Sequence, residues 1–127
     1  MSELSLDRIG QIAINVQDVE RATAFYRDVL GMRFLFSAPP GLAFFDCGGV
    51  RLMLSRAEDP DLDHPASILY YQVADIAAAH RTLVGHGVTF LTAPHVVHKA
   101  ADYDLWLADF RDSEGNVLAL MCEMRRE

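Results

Sequence analysis

The sequence predicts an α+β fold. Two tandem β-α-β-β-β modules form a curved mixed β-sheet, a cup, with helices on its convex face. Three observations predict it. The first is internal repetition. Val16, Asp18 and Val19 are matched by Val73, Asp75 and Ile76 at one offset, and Gly31, Phe34 and Leu35 by Gly87, Phe90 and Leu91 at nearly the same one. Gly49, Leu52 and Leu54 are matched by Gly115, Leu118 and Leu120 at a longer offset, so the second copy carries an insertion between Ala93 and Leu105. The second observation is that each copy opens with a strand pattern followed by a capped helix pattern. The third is that three more short apolar runs, separated by turn residues, follow each helix.

Residues 11–16 alternate, with Gln11, Ala13 and Asn15 on one face and Ile12, Ile14 and Val16 on the other, the mark of a half-buried strand. Asp18 is an N-cap residue, and Val19, Ala22, Phe25, Tyr26 and Val29 follow at helical spacing. Gly31 stands where a helix-ending glycine belongs. Strands are expected at Met32–Ser37, Leu42–Cys47 and Val50–Ser55, punctuated by Pro39-Pro40-Gly41 and Gly48-Gly49. The charged, proline-bearing stretch 56-RAEDPDLDHPAS-67 reads as a linker. The second copy repeats the plan. It has a strand over 68–73, an Asp75 N-cap, and an apolar stripe of Ile76, Ala79 and Leu83 ending at Gly87. Strands are then expected at Val88–Thr92, Leu105–Phe110 and Val117–Glu123, with a turn at 112-DSEGN-116. The chain is expected to be one domain over residues 1–127, with module one at about 8–56, a linker over 57–66 and module two at about 67–124. One such module cannot cover both faces of its sheet. Two packed side by side leave the concave surface of the cup.

With 127 residues and 51% apolar side chains, the chain can bury a sizeable core. A net charge of −7 argues against nucleic acid, whose phosphates need a basic footprint, and suits a cationic ligand without demanding one. No apolar run approaches the ~18 residues that span a membrane, and MSELSLDRIG lacks the basic-then-apolar order of a signal peptide. Cys47 and Cys122 have no metal-motif spacing. Free thiols and a cytoplasmic location are expected.

The segments IAINVQDVERATAFYRDVLGM (12–32), GVRLML (49–54), DIAAAHRTLVGHGVTF (75–90) and FRDSEGNVLAL (110–120) carry a further likeness. Over residues 8–124 the sequence resembles the vicinal oxygen chelate superfamily, which includes glyoxalase I, extradiol dioxygenases, methylmalonyl-CoA epimerase, and fosfomycin and bleomycin resistance proteins. The resemblance implies the fold more specifically than the function, because this superfold hosts many chemistries. In metal-using members, four cup-facing ligands come from the first and last strands of each module, usually His or Gln, Glu, His and Glu. Carried over by position, these fall on Gln11, Met53, Ile68 and Ala119. Only Gln11 offers a hard oxygen donor; thioether is soft, and Ile and Ala are not ligands. No inherited metal and no other cofactor is expected. A homodimer is implied by resemblance.

Within that frame, Arg51 alternates with the apolar Val50, Leu52 and Leu54, so it is expected to face the cup beside Met53. There it suits a carboxylate, phosphate or enolate oxygen, or an internal ion pair with Glu123. Gln11, Asn15, Tyr70 and Gln72 face the cup by alternation, and Trp106 is taken as a further lining residue. These residues, with Met53, form the expected binding site for a small organic molecule. His95 and Glu123 are the candidate catalytic acid–base residues. His95 and His98, in the insertion 92-TAPHVVHKAADYDLW-106, are also an i, i+3 pair with no third metal donor in view. His64 reads as a linker residue, His80 as solvated, and His86 as a cation complementing a helix terminus. Three functions remain open: a binding module, a metal-independent lyase or isomerase acting on a carbonyl compound, and a divalent-metal enzyme of glyoxalase or dioxygenase type whose ligands lie elsewhere.

Overall fold

The computed structural model describes residues 4–39, 41–57 and 65–126. Two compact units divide the chain, Met1–His64 and Pro65–Glu127. Most of the expected linker, His64 included, lies outside the described residues. Among the described residues, no helix is long and apolar enough to cross a membrane.

In module one, β1 (Gln11–Asn15) leads to α1 (Val19–Ala24), which runs on into a π-helical turn at Phe25–Val29. The Asp18 carboxylate caps α1 by accepting the Arg21 N–H at 3.0 Å. The wider turn is closed by the Leu30 N–H on the Phe25 carbonyl at 3.0 Å. Gly31, at φ 71°, then reverses the chain in a backbone region that side chains disfavour. Strands β2 (Arg33–Ala38), β3 (Leu42–Cys47) and β4 (Val50–Ser55) complete a sheet of order β1-β4-β3-β2. Its β1–β4 pair is parallel and the rest antiparallel. The helix covers one face, where Ile14, Ala22, Tyr26, Phe45, Leu52 and Leu54 are buried. Phe45 lies in the middle, its ring centroid 6.1 Å from that of Tyr26 and 5.5 Å from that of Phe34. Burying one such side chain contributes about 1.5–3 kcal/mol.

In module two, β5 (Leu69–Gln72) leads to α2 (Ile76–Gly85), capped by the Asp75 carboxylate on the Ala78 N–H at 3.0 Å. Strands β6 (His95–Lys99), β7 (Tyr103–Arg111) and β8 (Val117–Arg125) give the order β5-β8-β7-β6, again with one parallel pair, β5–β8. Ile76, Leu83, Ala108, Phe110, Leu118 and Leu120 are buried on the helix side. The two modules thus share one β-α-β-β-β plan and one strand order, as the α+β expectation requires.

Two sequence expectations are corrected. The strand expected at Val88–Thr92 shrinks to a single bridge between Phe90 and Phe110, and the outer strand is instead β6, inside the expected insertion. Thr92 explains the break. Its hydroxyl accepts the Asp109 N–H at 2.9 Å, while the Asp109 carbonyl takes the N–H groups of both Leu91 and Thr92. Pro94, two residues on, has no N–H to donate. His80 is not solvated: it is half-buried, its ring 4.4 Å from that of Phe90, which in turn lies 5.1 Å from Phe110.

Candidate functional site

The two faces of a strand alternate, so the face away from each helix can be read from the register. In module one, Leu52 and Leu54 share the buried face with Phe45, which sends Arg51 and Met53 to the open one. There Gln11, Arg51, Asp46 and Arg33 form one cross-strand row, and Ala13, Met53, Phe44 and Phe36 the next. Asn15 pairs with Ser55 beyond them.

The open face is organised around Arg51. Its Nε–H donates to Gln11 Oε1 at 2.7 Å. The amide nitrogen of Gln11 lies 3.8 Å from Met53 Sδ. The Arg51 guanidinium carbon lies over the Phe44 ring, 5.3 Å from its centroid. Phe44 stacks on Phe36, centroids 4.6 Å apart and rings inclined by 29°. Phe34 and Phe36 would share a face in a regular strand. A register shift between them sends Phe34 to Phe45 on the helix side and Phe36 to Phe44 on the open side. Sequence reasoning left both phenylalanines unassigned, since a bulge has no composition signature here.

On the open face of module two, Tyr70 pairs with Ala119 and Gln72 with Met121. Leu105, Leu107 and Asp109 on β7 pair with Glu123, Met121 and Ala119. His95 and His98 oppose Leu107 and Leu105, so both histidines share this face with Glu123, Tyr70 and Gln72. Trp106 does not join them. It pairs with Cys122, on the face of Ala108, Phe110, Leu118 and Leu120 that meets the helix. Its register, one residue out of phase with Leu105 and Leu107, decides this.

His95 Nδ1–H donates to the Ala93 carbonyl at 2.8 Å. Because a carbonyl can only accept, the neutral ring carries its lone pair on Nε2. Glu123 is paired with Tyr103 inside its own module. The hydrogen bond from the phenol to that carboxylate, and the carboxylate's charge, push Tyr103 above the usual tyrosine range. Tyr103 escaped sequence reasoning because β7 was expected to begin at Leu105; two residues earlier, it falls on the same face. Burial and the neighbouring Asp46 push the Cys47 thiol up, away from nucleophilic character.

The positions that hold a metal in the resembling family do not fit one here. In module one the single hard donor, Gln11 Oε1, already accepts from a guanidinium, and Met53 offers only a thioether. In module two, Ile68 and Ala119 carry no donor. Among the described residues, no group of three or more His, Cys, Asp or Glu side chains could hold a metal ion.

The sequence model of the Glyoxalase/Bleomycin resistance protein/Dioxygenase superfamily matches residues 8–120. No match is found among curated proteins. Solved structures with the same fold include a member of that superfamily from Sphaerobacter thermophilus DSM 20745, 23% identical with a TM-score of 0.76 over 94% of this chain and 100% of that one. TnmS3, an antibiotic binding protein from Streptomyces sp. CB03234, is 23% identical with a TM-score of 0.75 over 95% and 99%. Lactoylglutathione lyase from Agrobacterium tumefaciens is 22% identical with a TM-score of 0.68 over 91% and 93%. At these identities the likeness is one of fold.

Proposed function

The chain belongs to the Glyoxalase/Bleomycin resistance protein/Dioxygenase superfamily, and on that footing we propose that it binds a small organic molecule without the divalent metal of its catalytic relatives. One observation carries the reading. At the family's metal positions in module one, the only hard oxygen donor is hydrogen-bonded to Arg51, so a cation would meet a competing positive charge at its first ligand. The binding residues proposed in module one are Gln11, Asn15, Arg51 and Met53, and those proposed in module two, taken by itself, are Tyr70 and Gln72. A homodimer and a cytoplasmic setting belong to the same reading, the latter supported by the free thiols of Cys47 and Cys122.

The test is thermal denaturation with zinc or nickel and with a panel of small organic compounds, because a ligand of the native state raises the melting temperature by mass action. Organic ligands are expected to raise it and metals to leave it unchanged. Stoichiometric metal after loading, with a matching rise in melting temperature, would reverse the reading in favour of a metal-dependent enzyme.

A second reading, metal-independent lyase or isomerase chemistry on a carbonyl compound, is favoured by His95. The Ala93 carbonyl fixes its tautomer so that Nε2 is the basic atom, on the sheet face that also carries Glu123. His95 Nε2 would take a proton from the carbon beside the carbonyl and, as the imidazolium, return it; Glu123, whose carboxylate accepts the Tyr103 hydroxyl, is the alternative base. Isotope exchange from deuterated water into a bound carbonyl compound, lost in His95→Gln, tests it.

A further inference from the structure

We propose that the ligand is an organic anion, its oxygen held by the outer edge of the Arg51 guanidinium and its apolar body laid on Met53 and Phe36. This rests on the reading of the chain as a small-molecule protein and names the ligand's chemical class.

The geometry of Arg51 supports it first. A guanidinium has five N–H donors in a fixed fork. Gln11 takes the one on Nε, at 2.7 Å, and among the described residues no hydrogen bond or ion pair reaches the two Nη nitrogens. The nearest acid in the register, Asp46, is the direct cross-strand partner of Arg51, yet the two make no ion pair within 4.0 Å. Asp46 Oδ1 is instead turned into the strand connection, where it accepts the Gly49 N–H at 3.2 Å. An exposed cation is therefore left with its bidentate edge free beside a carboxylate directed elsewhere.

The same side chain is held in place. Gln11 fixes it from one strand and the Phe44 ring lies beneath it. A pre-positioned fork loses less rotamer freedom on binding than a mobile one. Chemistry then selects the partner. Planar, two-oxygen anions such as a carboxylate match the fork, and an enolate or phenolate oxygen meets the same positive edge.

The apolar half of the site lies in the adjoining row. In that row Met53 and the buried Phe44 lie between Ala13 and Phe36, and Phe36, on the edge strand β2, leaves 46% of its surface exposed. Small Ala13 leaves the row open at one end. An anion without an apolar body would use only half of this surface. The net charge of −7 had suited a cationic ligand; the local charge at Arg51 has the opposite sign and decides the contact.

Calorimetric titration of the full chain with 2-naphthoate, its neutral isostere 2-naphthamide, and acetate tests the proposal. The carboxylate is expected to bind at least about tenfold more tightly than the amide, because charge-assisted hydrogen bonds outweigh neutral ones. Acetate, lacking the apolar body, is expected to bind at least about tenfold more weakly than 2-naphthoate. Arg51→Lys keeps the charge but loses the fork, and is expected to weaken 2-naphthoate about three- to tenfold. Gln11→Glu supplies an internal carboxylate to Arg51 and is expected to abolish the preference for carboxylate over amide. Equal affinity for carboxylate and amide overturns the proposal while leaving the small-molecule reading standing. Absence of saturable 2-naphthoate binding overturns it as well. If metal ions stabilise the chain and no organic probe does, the reading beneath it falls too. Circular dichroism spectra of both variants matching the wild type confirm that lost binding is not lost folding.

Discussion

His95 and His98 stand three residues apart on an edge strand and face the same side of the sheet, because the strand slips register between Val96 and His98. In a regular strand residues three apart point to opposite faces. The bulge thus determines that two imidazoles and the Glu123 carboxylate share a surface. The Ala93 carbonyl then determines which nitrogen of His95 is basic. Long-range proton–nitrogen NMR spectra, recorded where the imidazole is neutral, are expected to show His95 with a protonated Nδ1 and a bare Nε2. A dominant Nε2–H form would remove His95 as an oriented base.

Tyr103 and Glu123 make a second prediction. The folded-state phenol is pushed up by its hydrogen bond to Glu123 and by that charge. A raised folded value stabilises the neutral phenol. The contribution is full below the unfolded tyrosine value of about 10 and is lost as pH rises through the higher folded value. Glu123→Gln should therefore move the Tyr103 phenolate absorbance to lower pH, with Tyr103→Phe identifying the signal among the four tyrosines. An unmoved titration would show that the pair does not form in solution.

Asp112 is the one buried charged residue among those described. Its carboxylate accepts the N–H groups of Glu114 and Asn116 at 2.8 and 2.9 Å and the Asn116 side-chain amide at 3.1 Å. Asp112→Ala removes the acceptor these three donors share, and a loss of about 2–4 kcal/mol is expected from chemical denaturation. A loss under about 1 kcal/mol would mean that water replaces the carboxylate at little cost.

Two phenylalanines at neighbouring positions of the β2–β3 ladder should differ sharply. Phe45 is fully buried between Tyr26 and Phe34, and Phe45→Ala is expected to cost about 3–5 kcal/mol through the cavity it leaves. Phe36 is half-exposed on the open face, and Phe36→Ala is expected to cost about 1 kcal/mol or less. Equal losses would contradict the assignment of Phe36 to an open surface.

Much of the fold was legible in the residues. Asp18 and Asp75 cap the two helices as their spacing foretold, and Leu42–Cys47 and Val50–Ser55 are strands over the expected residues. The alternation Val50, Leu52, Leu54 was enough to send Arg51 to the open face, because an uncompensated guanidinium against a helix-packed layer is too costly. Alternation failed where the ladder itself is irregular. The bulges in β2 and β6 set the faces of Phe36 and His98, to which alternation assigns none, the Thr92 hydroxyl ends an expected strand, and a register one residue out of phase turns Trp106 toward the helix side.

The sequence by itself determined the repeated plan, the helix caps, the side on which Arg51 stands, and the poverty of donors at Gln11, Met53, Ile68 and Ala119. These follow from local periodicity and residue chemistry, which act over a few neighbouring residues. Only the tertiary structure decided that Arg51 clasps Gln11, lies over Phe44 and keeps its two Nη nitrogens unengaged among the described residues, and that Tyr103 holds Glu123. Those contacts join side chains on different strands. Cross-strand register and the placement of bulges choose them, and neither has a signature in the order of residues along one strand.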